Sequence, residues 1–258
     1  MIKFHSQYPE LLENRESKSE INIYSDIAML NSRDNLGVNP MAMIIEPKAI
    51  LPQVHDYILE NFRDYQYVFT FDSELLELPN AKKLIFGTVS EWCEGEKTKM
   101  ISMACSDKAM CEGHINRQTV ARNLKDWIDL YGKIDGGDYV DYADIYANYK
   151  FNVAIENYSD GHYFTEKICN CFASKTVPIY YGCPHIGEYF NTHGMFILNH
   201  INDVYFVVSV LREHGDVIYD SMKDAIEDNY ERVKTYSRFS DTFYDMYGDW
   251  ITNYEVSE

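Results

Sequence analysis

Residues 149–182, YKFNVAIENYSDGHYFTEKICNCFASKTVPIYYG, constrain the fold of this chain more than any other stretch. FNVAIEN reads as a buried strand, FTEKICNCFAS as a helix and TVPIYYG as a second strand, together the usual size of a βαβ unit. Pro178 suits the first positions of a strand or an edge. Strands joined by a helix lie parallel, and a parallel sheet needs helices on both faces, so the stretch predicts an α/β protein. In open sheets of this kind ligands collect at the carboxyl ends of strands, where helix N-termini turn backbone N–H groups outward. Glu156 and Asn157 close the first strand, and Thr165, Glu166 and Lys167 open the helix, so all five converge on one crevice. Thr165 suits an N-cap and Glu166 a first-turn carboxylate. Lys167 opposes the helix dipole by roughly a few tenths of a kcal/mol unless an anion lies between them. A phosphate would turn that conflict into an attraction.

The rest of the chain repeats the alternation. INIYSDIAML, MAMIIEP and YQYVFTFD read as strands and LPQVHDYILENF as a helix, which makes residues 1–92 a small amino-terminal α/β domain. The charge-rich EWCEGEKTK that follows reads as a linker. Beyond it come a strand in MISMACS and an amphipathic helix in HINRQTVARNLKDWIDLYG, closed by Gly132. After the βαβ unit, MFILNH reads as a strand, and NDVYFVVSVLREH and DAIEDNYERVKTYSRF as helices. Residues 93–258 are thereby expected to form a second α/β domain with the carboxy-terminal helices.

Charge limits what such a sheet can bind. The formal net charge is −18, from 23 Lys+Arg against 41 Asp+Glu, which disfavours nucleic acid and anionic lipid as partners. Any anion must be held by a local cluster of cations. The first thirty residues hold no apolar run flanked by basic residues, and no stretch reaches ~18 apolar residues, so neither a signal peptide nor a membrane span is read and the expected location is cytoplasmic. Six cysteines without CxxC pairing read as buried thiols. No GxGxxG follows a strand, and GEKT lacks the glycine spacing of a P-loop, which disfavours a nicotinamide dehydrogenase and a P-loop enzyme.

The βαβ stretch also resembles the donor-binding signature of the α-1,3-fucosyltransferases, glycosyltransferase family 10, in which a YKFxLxFEN strand is followed by YxTEK and then TVPIYxG. The nine-residue spacing from Asn157 to Glu166 agrees, as does the order of every element. Upstream, INRQTVARNL is similar to the family's arginine-bearing helix, and IDGGDYV to its glycine-containing loop. In the amino-terminal half, MIIEPKAILPQ resembles the family's short E-(S/P)-P segment and YVFTFDSEL the strand after it.

The resemblance implies two facing Rossmann-like domains of the GT-B type. It also implies an inverting transfer of fucose from GDP-fucose to a hydroxyl of a glycan acceptor. Glu46 inherits the role of catalytic base, and Arg117 that of the arginine on the donor diphosphate. Lys167 joins Arg117 in balancing charge on the leaving phosphate. Asn157, Tyr163 and Glu166 become the contacts to ribose, base or sugar. The chain contains no Asp-x-Asp triplet, in keeping with an expectation of no metal and no cofactor. Ile155 stands where phenylalanine is usual in FEN, and His162 where a small or acidic residue is usual, which leaves the sugar open. Two alternatives therefore stay beside the fucosyltransferase reading: a same-fold transferase using another nucleotide sugar, and a catalytically silent nucleotide- or sugar-binding relative.

Overall fold

The computed structural model describes residues 1–255. It contains two compact units. The first comprises Met1–Phe86, Asp160–Tyr163 and the chain from Arg238 onward, and the second Gly87–Ser159 and Phe164–Ser237.

In the first unit β1 (Ile2–His5), β2 (Ile21–Ser25), β3 (Pro40–Met43), β4 (Val68–Thr70) and β5 (Ala81–Lys83) form one sheet in sequence order, with every neighbouring pair parallel. The helices α1 (Ile27–Ser32) and α2 (Pro52–Asn61) join β2 to β3 and β3 to β4. Crossovers that step in one direction with one hand put their helices on one face. On that face Tyr24, Ala42, Ile44 and Val68 pack with Met29, Val54 and Ile58. The alternate residues Ile21, Ile23, Met41, Met43 and Phe69 belong to a separate core on the other face.

The second unit runs β6 (Lys99–Ala104), α3 (Glu112–Leu124), β7 (Asp129–Tyr131), α4 (Tyr142–Tyr146), β8 (Tyr149–Ile155), α5 (Glu166–Ala173), β9 (Val177–Tyr181), β10 (Phe196–Ile197), α6 (Asp203–Ser221) and α7 (Lys223–Val233). Its sheet has the order β10-β9-β8-β6-β7, again all parallel. After β7 the chain returns to the opposite side of β6. The strand order therefore reverses between β6 and β8, the kind of point at which open α/β sheets hold ligands. Six of the seven residues of β8 are buried, which explains why it reads as a nearly unbroken apolar run.

The chain then goes back to the first unit as α8 (Phe239–Thr252). Phe239, Phe243 and Ile251 of α8 belong to the same core as Ile23, Met41 and Phe69, with the Phe69 and Phe243 rings edge-on at 5.1 Å. This departs from the expected division at residue 92, with all the carboxy-terminal helices in the second domain. The break falls between Phe86 and Gly87, and α8 joins the first unit because α1 and α2 cover only one face of its sheet.

The expected linker is also built into the second unit. Cys93 is buried, and Lys97 Nζ donates to the carbonyls of Tyr146 (3.2 Å), Ala147 (2.9 Å) and Ser174 (2.6 Å) and to Thr176 Oγ1 (2.9 Å). The helix expected to end at Gly132 stops at Leu124, and the residues before the glycine form the edge strand β7. The sequence reading passed over β1, β5, α4 and α8, and it read INIYSDIAML as one strand where the chain turns into α1 at Ile27. The edge strands β1 and β5 are only four and three residues long, too short to show alternation.

Candidate functional site

The switch point of the second unit opens into a cavity of ≈ 340 Å³. Its walls come from the end of β6, the start of α3, the loop after β7, α4, the end of β8 and the start of α5. Gly113 makes this convergence possible: a Cβ there would lie 1.9 Å from the carbonyl oxygen of Asn157, so only glycine lets α3 close onto the end of β8. The approach brings Arg117, itself only 7% exposed, to Asn157, with Nη1 donating to Asn157 Oδ1 at 2.8 Å and Nη2 to Ser106 Oγ at 3.2 Å. Arg117 Nε is buried without a partner.

On the other side of the cavity Thr165 caps α5 as expected, its side chain accepting from the backbone N–H of Lys167. The buried Glu156 carboxylate accepts from the Thr165 N–H at 2.9 Å and from its hydroxyl at 2.8 Å. Lys167 Nζ lies 3.0 Å from Thr165 Oγ1, 3.2 Å from Glu166 Oε1 and 3.3 Å from Glu156 Oε2. Gly182 is needed here too, because a Cβ at that position would stand 2.5 Å from the Glu156 side chain. Burial pushes the Glu156 carboxyl above the usual carboxylate range, an effect that Lys167 opposes. Desolvation disfavours the Lys167 ammonium, but Glu156 and Glu166 hold its pKa above the ordinary lysine value. Desolvation likewise opposes charge on Glu166, and Lys167 and Thr165 outweigh it, leaving that carboxyl below its ordinary value.

The cavity thus gathers Lys108, Arg117, Lys133 and Lys167 in a chain whose formal net charge is −18. This is the local cation cluster that an anion-binding site in such a chain requires.

Glu46 and Tyr163 lie in the first unit. Glu46 follows the end of β3 and is half-buried. Its backbone N–H and that of Ile45 donate to Oδ1 of Asp26, at 3.3 and 3.0 Å. Asp26 is fully buried and has φ of 45°, a left-handed conformation that is strained for a residue with a Cβ. Its Oδ2 has no partner. Burial pushes the Asp26 carboxyl up to about 7, against the two backbone donors. The Tyr163 ring is buried and stacks at a tilt on Phe71, 4.7 Å between centroids.

Among the described residues one group has metal-ligating geometry: His55, Asp72 and Glu74, all in the first unit. His55 Nε2 lies 3.2 Å from Asp72 Oδ1, and Lys48 Nζ already sits 3.0 Å from Glu74 Oε2.

Against this geometry, residues 95–204 match the family model described as "Glycosyltransferase family 10 (fucosyltransferase) C-term". Residues 95–204 form a glycosyltransferase family 10 domain. The match includes every residue lining the switch-point cavity, and it leaves Glu46 outside. Over 45 residues the chain is 44% identical to the alpha-(1,3)-fucosyltransferase FucT of Helicobacter pylori, an alignment that spans 17% of this chain and 9% of that protein. Among solved structures, an alpha1,3-fucosyltransferase with GDP-fucose is similar with a TM-score of 0.56 and 13% identity, over 95% of this chain and 81% of that one. The pneumococcal O-GlcNAc transferase GtfA in complex with UDP and GlcNAc is similar with a TM-score of 0.54 and 9% identity, over 91% of this chain and 57% of that one. The expected fold class, α/β of the GT-B glycosyltransferase type, is borne out.

Of the residues singled out in the sequence, Arg117, Asn157, Glu166 and Lys167 line one cavity of the family 10 domain, and Tyr163 and Glu46 do not line it. The IDGGDYV loop contributes Tyr139 and Val140 to the wall. Lys108, His114 and Lys133 also line the cavity and were not singled out. For His114 the available signal was HINR, since residues three apart on a helix share a face and one of the pair was already a candidate.

Proposed function

We propose that the chain is an inverting glycosyltransferase that moves fucose from GDP-fucose to a hydroxyl of a glycan acceptor. The observation that carries this reading is the cluster of Arg117, Lys167, Lys108 and Lys133 at the switch point of a family 10 domain. In the reaction the acceptor oxygen forms a bond to the anomeric carbon while the bond from that carbon to the diphosphate breaks. Glu46 takes the acceptor proton. Negative charge grows on the leaving phosphate oxygen, and in this reading Lys167 and Arg117 balance it without a metal ion. Arg117 is held by Asn157 and Ser106, and Lys167 by Thr165, Glu156 and Glu166, so neither cation has to be ordered when the donor arrives. Asn157 and Glu166 are the neutral and anionic acceptors suited to donor hydroxyls or base. Tyr163 is proposed as a further contact to ribose, base or sugar.

The test is thermal stabilisation by nucleotides. GDP-fucose at a hundredfold excess over its Kd is expected to stabilise the protein by about 2.7 kcal/mol of linkage, with UDP and CMP compounds giving no shift. A second reading, a transferase for a UDP-sugar, is favoured by the shared fold of the UDP-bound GtfA. Stabilisation by UDP compounds and not by GDP compounds would establish it and remove fucose.

A further inference from the structure

His114 is the histidine of the cavity, and the proposed transfer gives it no task. It sits in the first turn of α3, three residues before Arg117 and on the same face of the helix. It is only 2% exposed and lines the cavity. Its Nδ1 lies 3.1 Å from Cys111 Sγ, which fixes the ring, and among the described residues its Nε2 makes no hydrogen bond. An unpartnered ring nitrogen of a buried side chain that lines the cavity, on a wall that also carries Arg117 and Lys167, awaits a group from the ligand. Nothing about the helix requires histidine there.

We propose that His114 is a diphosphate ligand that takes up one proton from solvent when a nucleoside diphosphate sugar binds and returns it when the nucleotide leaves. The inference rests on the donor site proposed above. In the free cavity, desolvation and the neighbouring charges of Arg117, Lys108 and Lys167 depress the imidazole pKa to about 4, so the ring is neutral at physiological pH. The other groups around it are Cys111 on its own element, Lys133 on the loop after β7, Tyr146 on α4 and Glu166 on α5. A diphosphate brings two negative charges into that set. It offsets the field of those cations at the ring, and protonated Nε2–H gains a phosphate oxygen as acceptor while Nδ1–H keeps Cys111 Sγ. A group whose pKa is raised by the ligand strengthens binding as the pH falls. Donor affinity therefore rises toward acid, which fixed lysine and arginine charges do not produce in this range.

The experiment is titration calorimetry of the whole chain with GDP-fucose, and with UDP-N-acetylglucosamine should GDP-fucose not bind. Both phosphates of a sugar nucleotide are esterified, so the probe itself has no phosphate proton to gain between about pH 5 and 8. Runs in two buffers of different ionisation heat count the protons. Uptake approaching one proton per nucleotide is expected near pH 6, with Kd tightening by up to about tenfold per pH unit below neutrality. His114→Asn should abolish both effects and weaken binding about tenfold near pH 6, with a much smaller change near pH 8. If that variant does not fold, His114→Gln replaces it, and the imidazole C–H resonances of the wild type with and without nucleotide give the same answer. Binding without proton uptake, or uptake unchanged in the variants, would overturn the role of His114 and leave the donor site standing. If neither sugar nucleotide binds, the donor site and the role of His114 fall together.

Discussion

The two units are built on sheets of the same size and sense, yet their strand ends carry opposite chemistry. In the second, the order β10-β9-β8-β6-β7 reverses between β6 and β8, and the reversal leaves a cavity that collects Lys108, Arg117, Lys133 and Lys167. In the first, the order β1-β2-β3-β4-β5 never reverses, and the strand-end side chains of interest are the carboxylates Asp26, Glu46 and Asp72. The difference lies in how much sequence each needs. A cavity demands several elements in mutual contact: Gly113 against Asn157, Gly182 against Glu156, Thr165 between Glu156 and Lys167. A single carboxylate on a strand-end turn needs little more than Asp26 to hold the backbone beneath it.

That contrast also explains how legible each part was. The parallel α/β class, β8 and α5 were readable because they sit in long runs whose spacing is fixed by packing, and Asn157, Glu166 and Lys167 because they stand at the ends of those runs; Arg117 came from the resemblance to family 10 alone. Glu46 rested on a match of two or three residues, and the Asp26 that supports its turn was invisible because the two are twenty positions apart. The membership of α8 was lost for a similar reason. Its aromatic residues pair with strands more than 150 residues earlier, and no local period records that.

The largest effect expected concerns the acidic side. Glu46→Gln removes the proton acceptor and keeps the shape, so transfer to acceptor should fall by ~10²–10⁴-fold while nucleotide affinity, measured by calorimetry, stays nearly unchanged. Near-wild-type transfer would mean that Glu46 is not the base, and Asp72 or Glu74 would be tried next. If no variant and no wild type turns over while GDP still binds, the silent binding module is the better reading.

On the basic side, Lys167→Ala should lower turnover by roughly a hundredfold or more, the scale of losing one preorganised charge. The variant should remain folded by circular dichroism. Unfolding without a specific rate effect would make Lys167 a structural partner of Glu156 instead.

Asp26 allows the contrast to be read in stability alone. Its folded pKa of about 7 lies above the ordinary value of 3.8, so the folded state holds the proton more tightly than the unfolded one. Its contribution is therefore fully present below the unfolded pKa and is lost as the pH rises through the folded pKa. Asp26→Asn should be more stable than wild type near pH 8, by up to about 4 kcal/mol for three pKa units, with the gap closing toward about pH 4. Denaturant melts at a series of pH values measure this, and a gap independent of pH would show that Asp26 does not titrate.

The smallest effect expected is none at all: turnover should survive excess chelator if Lys167 and Arg117 balance the leaving charge. Activity lost to chelator and restored by manganese or magnesium would reject a metal-free transfer, and the His55, Asp72 and Glu74 group would be the first place to look for the ion.

The return of α8 to the first unit has a consequence for the order in which the protein is made. On the ribosome Met1–Phe86 emerges first, but one face of its sheet stays uncovered until Phe239, Phe243 and Ile251 have been synthesised. The contiguous core of the second unit, with Val153, Ile179, Val208 and Leu211, is available before that. Of the two units, the one whose synthesis starts earlier is therefore the one that finishes folding later, and during elongation Ile23, Met41 and Phe69 are the surface most in need of a chaperone.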